Sequence, residues 1–235
     1  MPWNDRTPRR RWPLVLGAAV VVLAGLLIAS LVYVGQHDAT PSSSSTAASD
    51  APAVPDRLDW GSVSWTELNG TQVPRSAEHG PRENSGPLAS GFSHDPQGAV
   101  LAAVNIAARS SGLAGGEEMW RPTIARQTTG DVMQYLAATE ETYREVLGRG
   151  GAAAPVVIGF RLAGTNTADD VTFDIVARLT NRSDPRLKAL LVGTLHVRWA
   201  AGDWRLVVPT GAGRQVKAIP PGFTAMPGQR LTLAG

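Results

Sequence analysis

The residues able to do chemistry are few, and their spacing works against it. The four histidines, His37, His79, His94 and His196, show no metal-ligand spacing, and the chain has no cysteine. Structural disulfides, thiolate metal sites and a cysteine nucleophile are therefore excluded. No Gly-x-Ser-x-Gly elbow, no Walker-type Gly-x4-Gly-Lys loop and no His-Glu-x-x-His helix occurs. His94 beside Asp95 has the form of a base with an orienting carboxylate. Asp95-Pro96 also has the form of a helix start, with the carboxylate as N-cap and proline at the first position, where its missing N–H costs nothing. His94 then belongs to the turn before the helix. Glu117-Glu118 and Asp169-Asp170 are adjacent in sequence, so neither pair supplies two opposed carboxylates across a glycosidic bond. Both pairs read as loop charges. No catalytic residue, cofactor or metal is expected from these patterns.

What remains is a surface. Four segments alternate apolar and polar residues with period 2, as half-buried strands do. Val156, Ile158, Phe160 and Leu162 alternate through the first, and Val171, Phe173, Ile175, Ala177 and Leu179 through the second. The third runs from Leu187 to Trp199. Ala200-Ala-Gly-Asp203 turns into the fourth, Trp204, Leu206 and Val208, before Pro209. The intervening positions place Arg161, Arg178, His196, Arg198 and Arg205 with Asp174 on one polar sheet face. These five residues are a candidate partner surface, and cross-strand ion pairs are the plainer account of them.

Two helices precede the strands. The first begins at Asp95-Pro96, buries Ala99, Ala102, Ala103, Ile106 and Ala107 on one face, and stops at Gly112. The second runs from about Gly130 to Leu147, with Glu140 and Arg144 as an exposed i,i+4 pair. Met119-Trp120-Arg121-Pro122 reads as a packed connection. Helices followed by a meander of strands give an α+β plan. Residues 58–94 are rich in Pro and Gly and are expected to wrap the core, with Trp60, Trp65 and Phe92 as attachments. Residues 95–209 form the folded domain, and 210–235 a C-terminal tail.

The 235 residues carry 22 basic and 20 acidic side chains, with 43% hydrophobic residues, which suits a globular core. Arg6, Arg9, Arg10 and Arg11 lie in a basic tail, 1–13, with only Asp5 against them. The remainder has a net charge of −1, so there is no electrostatic footprint for nucleic acid. Residues 14–34 contain no charge and would span roughly 30 Å as a helix. Trp12 and Tyr33 flank this run, and the arginines lie on its N-terminal side. The expectation is one transmembrane helix, a cytoplasmic N-terminus, and an extracellular C-terminal domain at the cell membrane. Residues 35–57 are a Ser/Thr/Ala/Pro linker, about 25 Å in mean reach.

Val73-Pro-Arg-Ser76, Gly80-Pro81 and Gly91-Phe-Ser-His-Asp-Pro-Gln-Gly-Ala-Val-Leu-Ala-Ala-Val104, with the hairpin Trp199-Ala-Ala-Gly-Asp-Trp204, carry a likeness. They resemble a family of uncharacterised single-pass membrane proteins of high-GC Gram-positive bacteria, associated with conjugative and integrative elements. In plan, the chain also resembles the bitopic assembly subunit of type IV secretion systems. That likeness implies a nuclear transport factor 2-like cone, with two or more helices on a curved antiparallel sheet of about four strands. It further implies a non-enzymatic, membrane-anchored assembly component of a conjugation apparatus, contacting other membrane proteins of the transfer machine or further copies of itself. The alternative is an extracytoplasmic small-ligand or lipid-binding module that uses the cone as an apolar pocket. An isomerase with an acid inside the cone ranks third, because the cone-facing positions read as Val, Ile, Phe, Leu and Trp.

Overall fold

Asp95 does cap the first helix, its carboxylate accepting from the Gly98 N–H at 2.7 Å with proline in the first turn. The structure is a computed structural model that describes residues 58–149, 153–164, 166–181, 184–211 and 213–233. This helix, α1 (Pro96–Ser110), is buried on nearly every side, Val100, Leu101 and Val104 as fully as Ala99, Ala102, Ala103 and Ile106. An amphipathic helix on a sheet needs only one apolar stripe. Here a second layer covers the opposite side. A hairpin of β1 (Val63–Leu68) and β2 (Thr71–Ser76) packs on α1, as does α2 (Glu117–Gln127). The segment expected as a connection is thus a helix. Glu117 and Glu118 in its first turn complement the dipole, and Trp120 and Ile124 are buried despite Pro122 within it.

The short β3 (Thr128–Thr129) leads into α3 (Val132–Arg149). Then come β4 (Ala153–Leu162), β5 (Asp170–Asn181), β6 (Lys188–Ala200) and β7 (Asp203–Val207), an antiparallel meander. Two further short strands, β8 (Arg214–Val216) and β9 (Thr224–Ala225), complete a seven-stranded sheet of order β3-β7-β6-β5-β4-β9, with β8 also on β6. The α+β class holds. The four-stranded nuclear transport factor 2-like cone does not: the described residues form a larger mixed sheet with three helices, in which β3 runs parallel to β7. The added strands have two or three residues, too few to show a period, so alternation alone undercounts them.

The membrane expectations need correction as well. The run 14–34 lies outside the described residues, and no described helix is long and apolar enough to cross a membrane. The most apolar one, α1, spans only about 22 Å and is spent on the protein core. The 18-residue α3 carries Glu140, Glu141, Arg144 and Glu145. Among the described residues there is thus no single-pass helix, and the cell-membrane, extracellular placement built on it is set aside.

Between helices and sheet the core is filled. Phe160, Val171, Phe173, Leu195, Val197, Trp204 and Leu206 meet α1 and Phe92 in one cluster. The opposite sheet face is divided. One half is apolar, with Ile158, Val176, Leu190 and Val192 lying under Val216, Ile219 and Phe223. The C-terminal stretch thus forms a cover. Gly159 permits it, since a Cβ there would fall 2.4 Å from Leu231 Cδ2 and 2.9 Å from the Thr224 carbonyl oxygen. The other half is polar and open.

The Pro/Gly-rich segment is held to the core by polar clasps. The Asp203 carboxylate accepts from the Gly91 N–H at 2.8 Å and the Phe92 N–H at 3.4 Å. The Gln127 amide pairs with both backbone groups of Ala89. Trp65 donates from Nε1 to the Pro227 carbonyl at 2.8 Å, and Trp60 meets Phe160 edge-on. Hydrogen bonds to a charged group are worth about 1.5–3 kcal/mol. Asp203→Ala should therefore cost about 2 kcal/mol in urea melts and speed proteolytic cleavage near Gly91. Unchanged cleavage would show that the segment is held elsewhere.

Candidate functional site

On the polar half of the sheet, register brings cations and carboxylates together across three strands. Asp170 stands opposite Arg198, Thr172 opposite His196, and Asp174 opposite both Thr194 and Arg161. Asp170 is the centre of one cluster: its Oδ1 lies 2.5 Å from His196 Nε2, and its Oδ2 accepts from Arg198 Nε at 2.9 Å. Asp174 is the centre of the other, accepting from Arg161 Nη2 at 2.5 Å and Thr194 Oγ1 at 2.7 Å. Arg161 is further fixed by the Pro221 carbonyl and the Phe223 ring. Both carboxylates are thus committed to neighbours. Arg205, opposite Arg198 on β7, and the exposed Arg214 on β8 have no carboxylate partner among the described residues.

A cleft of about 530 Å³ opens beside these groups. Its floor is Val192–His196 of β6, and its far wall is Val207–Gly211 with Arg214. Arg161, Asp174 and His196 project into it. The cleft exists because β6 loses its neighbour. β7 pairs with Val197–Ala200 and β8 with Leu190–Val192, and among the described residues no strand pairs with Gly193–His196 on that side.

Of the five residues expected on the partner surface, Arg161 and His196 meet in this cleft and Arg198 adjoins it through Asp170. Arg178 does not join them. It sits on the half covered by the C-terminal stretch and donates to the Thr232 carbonyl. Arg205 borders a smaller cleft of about 220 Å³ with Arg126 and Gln127. Sequence reading missed Asp170 as the clamp, although its alternation with Thr172 and Asp174 signalled the face. It also missed Arg214, whose three-residue strand carries no pattern.

The other candidates are structural. His94 turns away from Asp95 to Asp169, with Nε2 2.6 Å from Oδ1, and stacks on Trp199 at 4.1 Å. Asp95 instead meets His79 Nδ1 at 3.0 Å, and Ser93 Oγ lies 3.2 Å from that same nitrogen. A nucleophile relay needs serine and carboxylate on opposite ring nitrogens. With both on Nδ1, this trio braces the helix start. Glu118 accepts from the Gly116 N–H, and Glu117 pairs with Arg121. His37 lies outside the described residues. Among the described residues, no group of three His, Asp or Glu side chains is placed to hold a metal ion.

No curated protein and no solved structure matches the chain. A family match covers residues 33–223, which takes in the three helices, the meander β4 to β7 and most of the C-terminal cover. The chain belongs to the family described as a domain of unknown function (DUF8175).

Proposed function

We propose that the protein is a non-enzymatic assembly component of a conjugation, type IV secretion-like apparatus, working by protein–protein contact through the polar half of its sheet. The carrying observation is the cationic surplus there: Arg161 and Arg198 are matched by Asp174 and Asp170, while Arg205 and Arg214 have no carboxylate partner among the described residues. The apparatus itself is suggested by the sequence resemblance. An apolar ligand pocket under the helices has less support, since Phe160, Phe173, Leu195 and Trp204 fill that space against α1.

Charged contacts steer encounter and reject wrong partners, so reversing them should act strongly. In a strain deleted for the gene and complemented with Arg198→Glu/Arg205→Glu, transfer of the element should fall about tenfold or more at normal protein level. The double lysine variant should retain most transfer, and Glu118→Gln all of it. Normal mating with the reversed pair, or loss of mating with Glu118→Gln, counts against contact through this face.

A further inference from the structure

We infer that the outer edge of β1 pairs with the same edge of a second copy of this chain, joining two hairpins into one four-stranded antiparallel sheet about a twofold axis. The hairpin decides which backbone groups are free. Its loop is Asn69-Gly70, with φ of 49° and 84°, the two-residue loop that closes on a hydrogen-bonded pair, here Leu68 and Thr71. Along an antiparallel strand successive residues direct their backbone groups to opposite sides, so Thr66 and Ser64 also bond to β2. Val63, Trp65 and Glu67 then turn N–H and C=O outward. Pro74 agrees with this parity: it falls opposite Trp65, where no N–H is needed.

That edge is open and within reach. β1 and β2 form a sheet of their own, and among the described residues no backbone group bonds to Val63, Trp65 or Glu67. β2 takes the contact with α1, the Asn105 amide donating to the Pro74 carbonyl at 2.9 Å, so β1 lies on the side away from the helix. Ser64, Thr66 and Glu67 are exposed. The edge is about 20 Å long. Proteins that keep such an edge single guard it with lysine, proline or a bulge. β1 contains neither residue, and its six pairs with β2 run without a break.

A second copy fits this edge by register. With Trp65 opposite the partner's Trp65, Val63 comes opposite the partner's Glu67, and Glu67 opposite the partner's Val63. Each of these pairs exchanges two hydrogen bonds, six in all. A slip of one residue would set the outward groups against groups already given to β2, and a slip of two would forfeit a pair. The side chains accept the same register. Ser64 meets the partner's Thr66, a hydroxyl pair, and the two tryptophans form an aromatic pair. Glu67, the one charge of the strand, faces valine instead of its own copy.

The test is sedimentation velocity of the full chain across a wide range of concentration, where a reversible monomer–dimer equilibrium is expected. Ser64→Lys/Thr66→Lys sets like charges opposite each other across the twofold, and so does Ser64→Glu/Thr66→Glu. Each double variant should self-associate at least about tenfold more weakly, while an equimolar mixture of the two should dimerise at least as well as the unaltered protein. Glu67→Pro loses only an outward N–H and should also weaken the dimer about tenfold, with its circular dichroism unchanged. In the unaltered protein amide exchange at Val63, Trp65 and Glu67 should slow as concentration rises, and exchange at Ser64 and Thr66 should not change. A chain that stays monomeric at every concentration would overturn the proposal. So would a dimer that both charged variants keep, a mixture that stays monomeric, or a dimer whose β1 amides exchange as fast as the monomer's. The hairpin lies across α1 from the large sheet, so the inference goes beyond the polar-face reading, and its failure leaves the transfer experiment to judge that reading separately.

Discussion

Asn105→Leu is expected to destabilise the protein by about 3–5 kcal/mol, the range for removing the partner of a buried charge. Arg109 is 1% exposed and has no carboxylate partner among the described residues. Its guanidinium donates to the Asn105 side-chain oxygen at 2.8 Å, while its Nε finds no acceptor. Asn105 also donates to the Pro74 and Leu101 carbonyls, tying hairpin to helix. Leucine would remove all three contacts and strand the cation. Arg109→Met in the Asn105→Leu background should recover about 2–3 kcal/mol, because the charge that suffers is gone. Urea midpoints of the four proteins give the cycle, and additive effects would mean that the two residues are not coupled.

The same arginine has an alkaline signature. Burial lowers its pKa to about 10, so the folded state bears a desolvation cost below that pH and sheds it as pH rises further. Tyr135, fully buried against Ser110, is pushed up to about 12. Its contribution runs the other way: it is complete below the ordinary tyrosine pKa of 10 and is lost as pH climbs toward 12. Between about pH 10 and 12 the two trends oppose each other. Relative to the unaltered protein, Tyr135→Phe should therefore gain stability with rising pH, and Arg109→Met should lose it. Parallel pH curves for all three would rule out this balance.

Trp204→Ala should cost about 3–5 kcal/mol, as emptying a large buried aromatic site does. Trp204 is 1% exposed, donates from Nε1 to the Ser93 carbonyl at 2.8 Å, and meets Trp199 edge-on at 5.4 Å. It touches the sheet and the turn before α1 at once. Trp199, opposite it and partly exposed, should cost less when truncated. A loss below about 1 kcal/mol for Trp204→Ala would show that β7 is seated in the other register, with Arg205 inward.

Long elements were legible in sequence because they repeat a pattern many times. β4 to β7 each show alternation, and Asp95-Pro96 marks α1 by capping chemistry. Short or aperiodic pieces were not. Met119-Trp120-Arg121-Pro122 read as a packed connection, although the helix around Pro122 tolerates its missing N–H. Residues 210–235 read as a tail because β8 and β9 are shorter than one sheet period, yet Val216, Ile219 and Phe223 cover half a sheet face. The site was half legible for the same reason. Parity placed Arg161, His196 and Arg198 on one face, but parity also placed Arg178 there and could not foresee the cover that separates it. The gap beside Gly193–His196 depends on where two neighbouring strands stop, which no residue of β6 encodes.

The clasp between Asp203 and the Gly91 and Phe92 amides also sets an order of events during synthesis. Its partners are separated by more than 110 residues. At about 5–20 residues per second, the ribosome needs roughly 6–20 s to pass from one to the other. Over the first part of that interval, before β4 to β6 emerge, α1, among the most apolar segments of the domain, has the hairpin behind it but no sheet before it. The newborn chain thus exposes Ala99, Leu101, Ala103 and Ile106 until the long strands of the sheet emerge, and this is when it most needs a chaperone.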